Sequence, residues 1–210
     1  MEYQTPQEKF WASDFGDEYI KRNDLTEKSI ALYLAKWGRI IPHLPVTPSS
    51  ILEFGANIGL NLRALRLLFP QARLSGVEIN AEAVETLKNW GQAEVYNESI
   101  LNFSAEHQFD LVFTSGVLIH IAPDKLPDIY KKMYDFSSRY IIVSEYYNPN
   151  PLEVNYRGHS EKLFKRDFAG EIMDLYPDLT LCGYGFLYRR DPLFAFDDIS
   201  WFVMKKEPGL

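Results

Sequence analysis

The chain has 210 residues, enough for one domain with an appended segment, and its 46% hydrophobic and 24% charged residues are those of a globular protein. A net charge of −7 argues against a broad nucleic-acid footprint, and the single cysteine, Cys182, excludes an intramolecular disulfide framework and a CxxC metal site. No apolar signal region opens the sequence and no apolar run reaches membrane-spanning length, so a cytoplasmic protein is expected, with neither membrane nor nucleic acid as partner.

The first segment, taken as residues 1–45, is aromatic and charged and precedes any strand. Trp11, Phe15 and Tyr19 fall at helical spacing. They suit two arrangements: a helix packed on the core, or a lid over a ligand, with Trp11 and Tyr19 as cofactor contacts. A second amphipathic helix spans 24–42, with Ile30, Leu34, Trp37 and Ile41 on one face. Pro42, Pro45 and Pro48 then separate this segment from the main domain, 46–210.

Residues 51–61 read as a short buried strand, a glycine turn and the start of a helix. The strand ends in Glu53, and Gly55 and Gly59 bracket Ala56 and Asn57. A strand end followed by a glycine turn is where an open α/β sheet binds its cofactor. Free N–H groups near Asn57 to Asn61 suit an anion at the helix start. The carboxylate of Glu53 repels a pyrophosphate and suits an ammonium. S-adenosylmethionine (SAM) has an ammonium, a carboxylate and no phosphate. The stretch resembles motif I of class I SAM-dependent methyltransferases, with Asn57 at the usual middle glycine. Asn tolerates left-handed backbone better than most residues.

A second strand runs over 73–80 and ends in Glu78, 23 positions after Gly55. An acidic residue there can accept both ribose hydroxyls, beside Ile79. A helix over 81–90 leads to a third strand at 93–96. By position in the resembling family, the following residues Glu98, Ser99 and Ile100 contact adenine. The fourth strand, 109–114, ends in Thr114 beside the cofactor. The segment 115–121 resembles the post-strand motif of small-molecule methyltransferases, which makes His120 a candidate general base or a pocket-shaping histidine. A helix runs from Pro123 to Phe136, and the fifth strand covers 139–144.

Tyr146 and Tyr147 follow that strand, and then a basic run in an otherwise acidic chain: Arg157, His159, Lys162, Lys165 and Arg166. Placed between the fifth strand and a helix at 167–176, the run lies on the acceptor side. Its cations suit a carboxylate or phosphate, with Tyr146 and Tyr147 as further acceptor contacts and His159 as a second candidate base. Strands at 179–188 and 199–205 close the chain as an antiparallel hairpin. The four histidines are scattered and no metal-ligand spacing stands out, so no metal is expected.

These elements predict an α/β doubly wound, Rossmann-like seven-stranded sheet with an antiparallel C-terminal hairpin and an N-terminal helical extension. The N-terminal F-W-x-x-x-F-G-D-E-Y-x-x-R-N pattern and the Y-R-G-H-x-x-K-L-F-K-R-D-F run look like the methylases found with pseudaminic acid and related surface-sugar biosynthesis. That resemblance implies methyl transfer from SAM, leaving S-adenosylhomocysteine (SAH), to an oxygen or nitrogen of a small anionic acceptor, by a monomer or homodimer. The alternatives are a SAM-binding subunit without transfer activity and an NAD-dependent oxidoreductase, which the missing G-x-G-x-x-G disfavours.

Overall fold

The computed structural model describes residues 2–207. Seven strands form one sheet. They are β1 (Ser50–Phe54), β2 (Arg73–Glu78), β3 (Glu94–Asn97), β4 (Phe109–Ser115), β5 (Ser137–Glu145), β8 (Leu179–Leu187) and β9 (Ile199–Lys206). Their order is β3-β2-β1-β4-β5-β9-β8. The first five are parallel, and β9 inserts antiparallel between β5 and β8. The expected doubly wound sheet with its antiparallel C-terminal pair is thus present. The order reverses between β1 and β4, which is the switch point where such a sheet leaves a crevice.

Apolar side chains alternate across the sheet and feed two cores. Ile51, Leu111, Phe113, Ile142 and Val203 pack with α3 (Glu27–Ile40) and α4 (Leu60–Leu68) through Trp37, Ile40, Leu62 and Leu65. Leu52, Phe54, Val112, Ile141 and Met204 pack on the other face with α6 (Leu126–Phe136) and α7 (Phe168–Leu175), through Ile129, Met133, Phe168 and Ile172. The helix α5 (Ala81–Trp90) is capped by Asn80, whose side chain accepts the Glu82 and Ala83 N–H groups.

Two segments differ from expectation. The N-terminal aromatics lie on two short helices, α1 (Pro6–Trp11) and α2 (Asp14–Ile20), instead of one. A Thr5/Glu8 capping box starts α1 and a break at Ala12–Ser13 turns the chain, so Trp11 meets Phe15 and Tyr19 edge-on at 5.5 and 5.2 Å. The basic run is no open loop. It forms a separate hairpin of β6 (Leu152–Tyr156) and β7 (His159–Lys165). Arg157 and Gly158 are its two turn residues, at φ 53° and 87°. Two consecutive positive-φ residues between paired strands are the tight turn that right-handed strand twist favours.

Candidate cofactor cleft

The cleft lies beyond the C-terminal ends of β1, β2 and β4, under α1 and α2, with an empty space of ≈ 1170 Å³ including its open mouth. Gly55, Asn57 and Gly59 all take positive φ (71°, 49°, 81°), so the residue at the family's middle glycine keeps a glycine-like backbone. The Asn57 side chain stabilises that conformation by accepting the Ile58 N–H at 2.7 Å. A side chain at Gly55 would strike Val117, which lets β1 and the segment after β4 close the floor together.

Two carboxylates face this floor. Glu78 accepts the Asn57 N–H at 2.7 Å and the Asn80 N–H at 2.8 Å, one on each oxygen, so it both fixes the turn and presents its remaining lone pairs to the cleft. Burial raises its pKa, and those backbone donors partly offset the effect. Glu53 is 1% exposed. Its Oε1 accepts from Asn61 Nδ2 at 2.7 Å, whereas its Oε2 is buried with no partner among the described residues. Burial pushes its pKa well up, against the pull of Asn61 and the ammonium of Lys36.

At the β4 end, His120 lines the cleft within a short 3₁₀ turn, Leu118–His120. Its Nδ1 lies 2.6 Å from the Lys162 carbonyl, which can only accept, so Nδ1 carries the proton and Nε2 keeps its lone pair. Burial lowers the His120 pKa to about 4, leaving a neutral ring at pH 7. Glu145, at the end of β5, holds the same segment by accepting the Val117 N–H at 3.0 Å. Its pKa is raised to about 7 by burial. Tyr19 and Tyr33 also line the space, and burial raises both phenols, which therefore stay protonated donors.

The structure brings together Trp11, Tyr19, Glu53, Gly55, Ala56, Asn57, Asn61, Glu78, Ile79, Ser99, Ile100 and His120 around one cleft. Ser99 lines it, but its hydroxyl donates to Glu8 of α1 and accepts the Leu101 N–H. Gly59, Glu98 and Thr114 lie outside the lining; Gly59 backs against Leu87, and Thr114 is fully buried. The acceptor-side set is not in the cleft. His159 is exposed, with its ring against Phe10 and Phe15 of the N-terminal segment, and does not line the cleft. Lys162 touches the cleft machinery through its carbonyl, while its ammonium sits 5.5 Å from the Phe10 ring. Lys165 lies 4.8 Å from the Tyr146 ring, Arg166 pairs with Glu171 at 2.7 Å, and Arg157 is exposed in the hairpin turn. Tyr147 is exposed beside Phe202.

Three lining residues went unread in the sequence, Glu8, Asn80 and Ser115, as did Lys36 and Glu145, which stand outside the lining and hydrogen-bond to residues in it. Lys36 carried a signal, since it shares the buried side of α3 with Tyr33, Trp37 and Ile40 at helical spacing.

Residues 52–137 match a family model described as a methyltransferase domain. The fold is that of a class I methyltransferase. Among solved structures the chain is similar to the plantazolicin methyltransferase in complex with SAH, at 15% identity and TM-score 0.68, covering 96% of this chain and 95% of that one. It is similar to the magnesium protoporphyrin IX methyltransferase of Synechocystis PCC 6803 with bound SAH, at 11% identity and TM-score 0.70, covering 95% and 97%. A third likeness is to the Burkholderia thailandensis 1,6-didemethyltoxoflavin-N1-methyltransferase, at 16% identity and TM-score 0.70, covering 99% and 93%. No curated protein matches the sequence.

Proposed function

We propose that this methyltransferase fold acts as a SAM-dependent methyltransferase on a small-molecule acceptor. The observation that carries the reading is the pair Glu53 and Glu78 on the floor of one cleft, beside a left-handed turn. Glu53 Oε2 is an orphaned buried acceptor, the partner an ammonium group needs and a pyrophosphate would be repelled by. Glu78 is placed for ribose hydroxyls, and Val77, Ile79, Ile100 and Leu101 provide an apolar slot for adenine. Bound there, SAM supplies an electrophilic methyl on a cationic sulfur.

The remaining work falls to the chain. Trp11 and Tyr19 cover the cleft and exclude water. Ser115, Gly116 and His120 line the end nearest β4, where the acceptor is oriented. His120 Nε2 takes the acceptor's proton if one must leave; its low pKa makes it a weak base, so most of the catalytic effect is positioning. The anionic, sugar-derived character of the acceptor is supported by the resemblance of residues 154–168, whose cations stand outside the cleft.

The test is calorimetry of the full chain with SAH and with NAD, followed by transfer from labelled SAM to a panel of sugar acids, nucleotide sugars and neutral sugars. SAH binding without NAD binding, and label on an anionic acceptor, are expected. NAD binding without SAH would overturn the assignment of the cleft.

A further inference from the structure

Lys36 belongs to α3, stands outside the cleft lining, and is 1% exposed. A buried ammonium is costly unless it is paired and hydrogen-bonded. Three rings enclose this one: Tyr33, Trp37 and Phe196, at 5.7, 5.8 and 6.0 Å. Its Nζ donates to Ser115 Oγ at 2.6 Å and to Asn61 Oδ1 at 3.3 Å. Both partners line the cleft. Trp37 Nε1 donates to the same Asn61 Oδ1 at 3.1 Å. Two donors converging on Oδ1 leave the Asn61 amide a single orientation, with Nδ2 turned to Glu53 Oε1. Glu53 is thereby gripped by one oxygen, and the other is left bare.

We propose that Lys36 is a positioning residue for the cofactor: through Asn61 and through its own charge it holds Glu53 as an oriented carboxylate with Oε2 free for an ammonium group. The inference rests on the SAM reading of the cleft. The charged and titratable groups around the pair are Glu53 on β1, Glu145 on β5 and Tyr33 on α3, with Glu78 on β2 acting on Glu53 from the far side. Three of these four are carboxyls, so Lys36 is the cation that offsets them. Without it, Glu53 keeps only the Asn61 hydrogen bond against its burial. The carboxyl then protonates and offers an ammonium little.

The test uses SAH as probe, by calorimetry from pH 6.5 to 8.5, on the wild-type chain and on Lys36→Met, which keeps the side-chain length without the charge. The variant should bind SAH about tenfold to a hundredfold more weakly at pH 7, and its affinity should recover only at higher pH than the wild type's, since Glu53 must lose a proton first. A role confined to packing would shift no pH profile. Should Lys36→Met fail to fold, the double variant Lys36→Met/Glu53→Gln removes the uncompensated carboxylate as well. It should fold, bind at least about tenfold more weakly than wild type, and show a flat profile. Wild-type affinity with a wild-type profile in Lys36→Met, or full affinity in the double variant, would overturn the inference. Absence of SAH binding by the wild-type chain would instead remove the cofactor reading beneath it.

Discussion

Glu78 does two jobs with two oxygens, and they can be separated. Each oxygen already takes one backbone N–H, from Asn57 and Asn80, which shapes the turn. The lone pairs left over are the ones a ribose would use. Glu78→Ala removes both functions, whereas Glu78→Gln keeps the bulk and one acceptor while removing the charge. Losing charge-assisted hydrogen bonds of roughly 1.5–3 kcal/mol each should weaken SAH binding by about tenfold or more in Glu78→Gln, with a smaller change in thermal stability than in Glu78→Ala. Equal SAH affinity in Glu78→Gln by calorimetry would place the ribose elsewhere. Glu53, Glu78 and Asn57 could be picked out from the sequence because position relative to a glycine turn determines where they point. Ser99 is placed in the cleft by its position as well, but the engagement of its hydroxyl by Glu8, ninety-one positions away, is not legible in the local sequence. Lys36 and Glu145 likewise act through partners distant in the chain, and local pattern carries no record of such pairings.

At the scale of elements, the sheet and its helices were readable because burial follows apolar pattern: short, nearly continuous apolar runs in β1, β4 and β5, which are covered on both faces, and helical stripes in α3 to α6. The β6–β7 hairpin was missed because its strands are half-exposed and polar, and a turn beginning with Arg157 lacks the usual asparagine or aspartate. The N-terminal pair α1–α2 is the element most dependent on others. It is tied to the sheet by Asn80 Nδ2, which donates to Asp17 Oδ1 at 2.7 Å and to the Trp11 carbonyl at 3.3 Å. That close approach requires a glycine on α2. A Cβ at Gly16 would lie 2.0 Å from the Trp11 carbonyl oxygen and 2.8 Å from Asn80 Nδ2. Gly16→Ala should therefore cost about 1–3 kcal/mol as an overpacked contact. It should also raise amide exchange across residues 6–20 while the strands keep their protection. Gly38→Ala is the matching control: nothing lies within 4 Å of its Cβ position, in the last turn of α3, so it should stabilise the chain by about 0.4–1 kcal/mol. Unchanged exchange over 6–20 in Gly16→Ala would show that the close contact does not hold the two helices down.

For the whole molecule, two buried groups that meet at the segment after β4, His120 within it and Glu145 bonded to it from β5, give folding stability opposite dependences on pH. His120 titrates near 4 in the folded chain, below its ordinary 6.5, because burial disfavours the cation. The unfolded chain therefore takes up that proton first, and stability is lost as pH falls from 6.5 towards 4. Glu145 titrates near 7, above its ordinary 4.5, because burial disfavours the carboxylate. Here the folded chain keeps a proton the unfolded chain has released, so its contribution is complete below 4.5 and is lost as pH rises through 7. The windows overlap between 4.5 and 6.5, where the two slopes oppose each other, each at most about 1.4 kcal/mol per pH unit. Removing one group should expose the other. Urea unfolding of Glu145→Gln at pH 5 and pH 6 should show stability rising more steeply with pH than in the wild type, by about 1 kcal/mol per unit, and His120→Asn should show the reverse. Comparison with the wild type at each pH cancels the remaining carboxylates. Both variants running parallel to the wild type would mean that neither group changes its proton on folding, and that His120 enters the cleft as an ordinary, easily charged imidazole instead of the neutral ring its burial dictates.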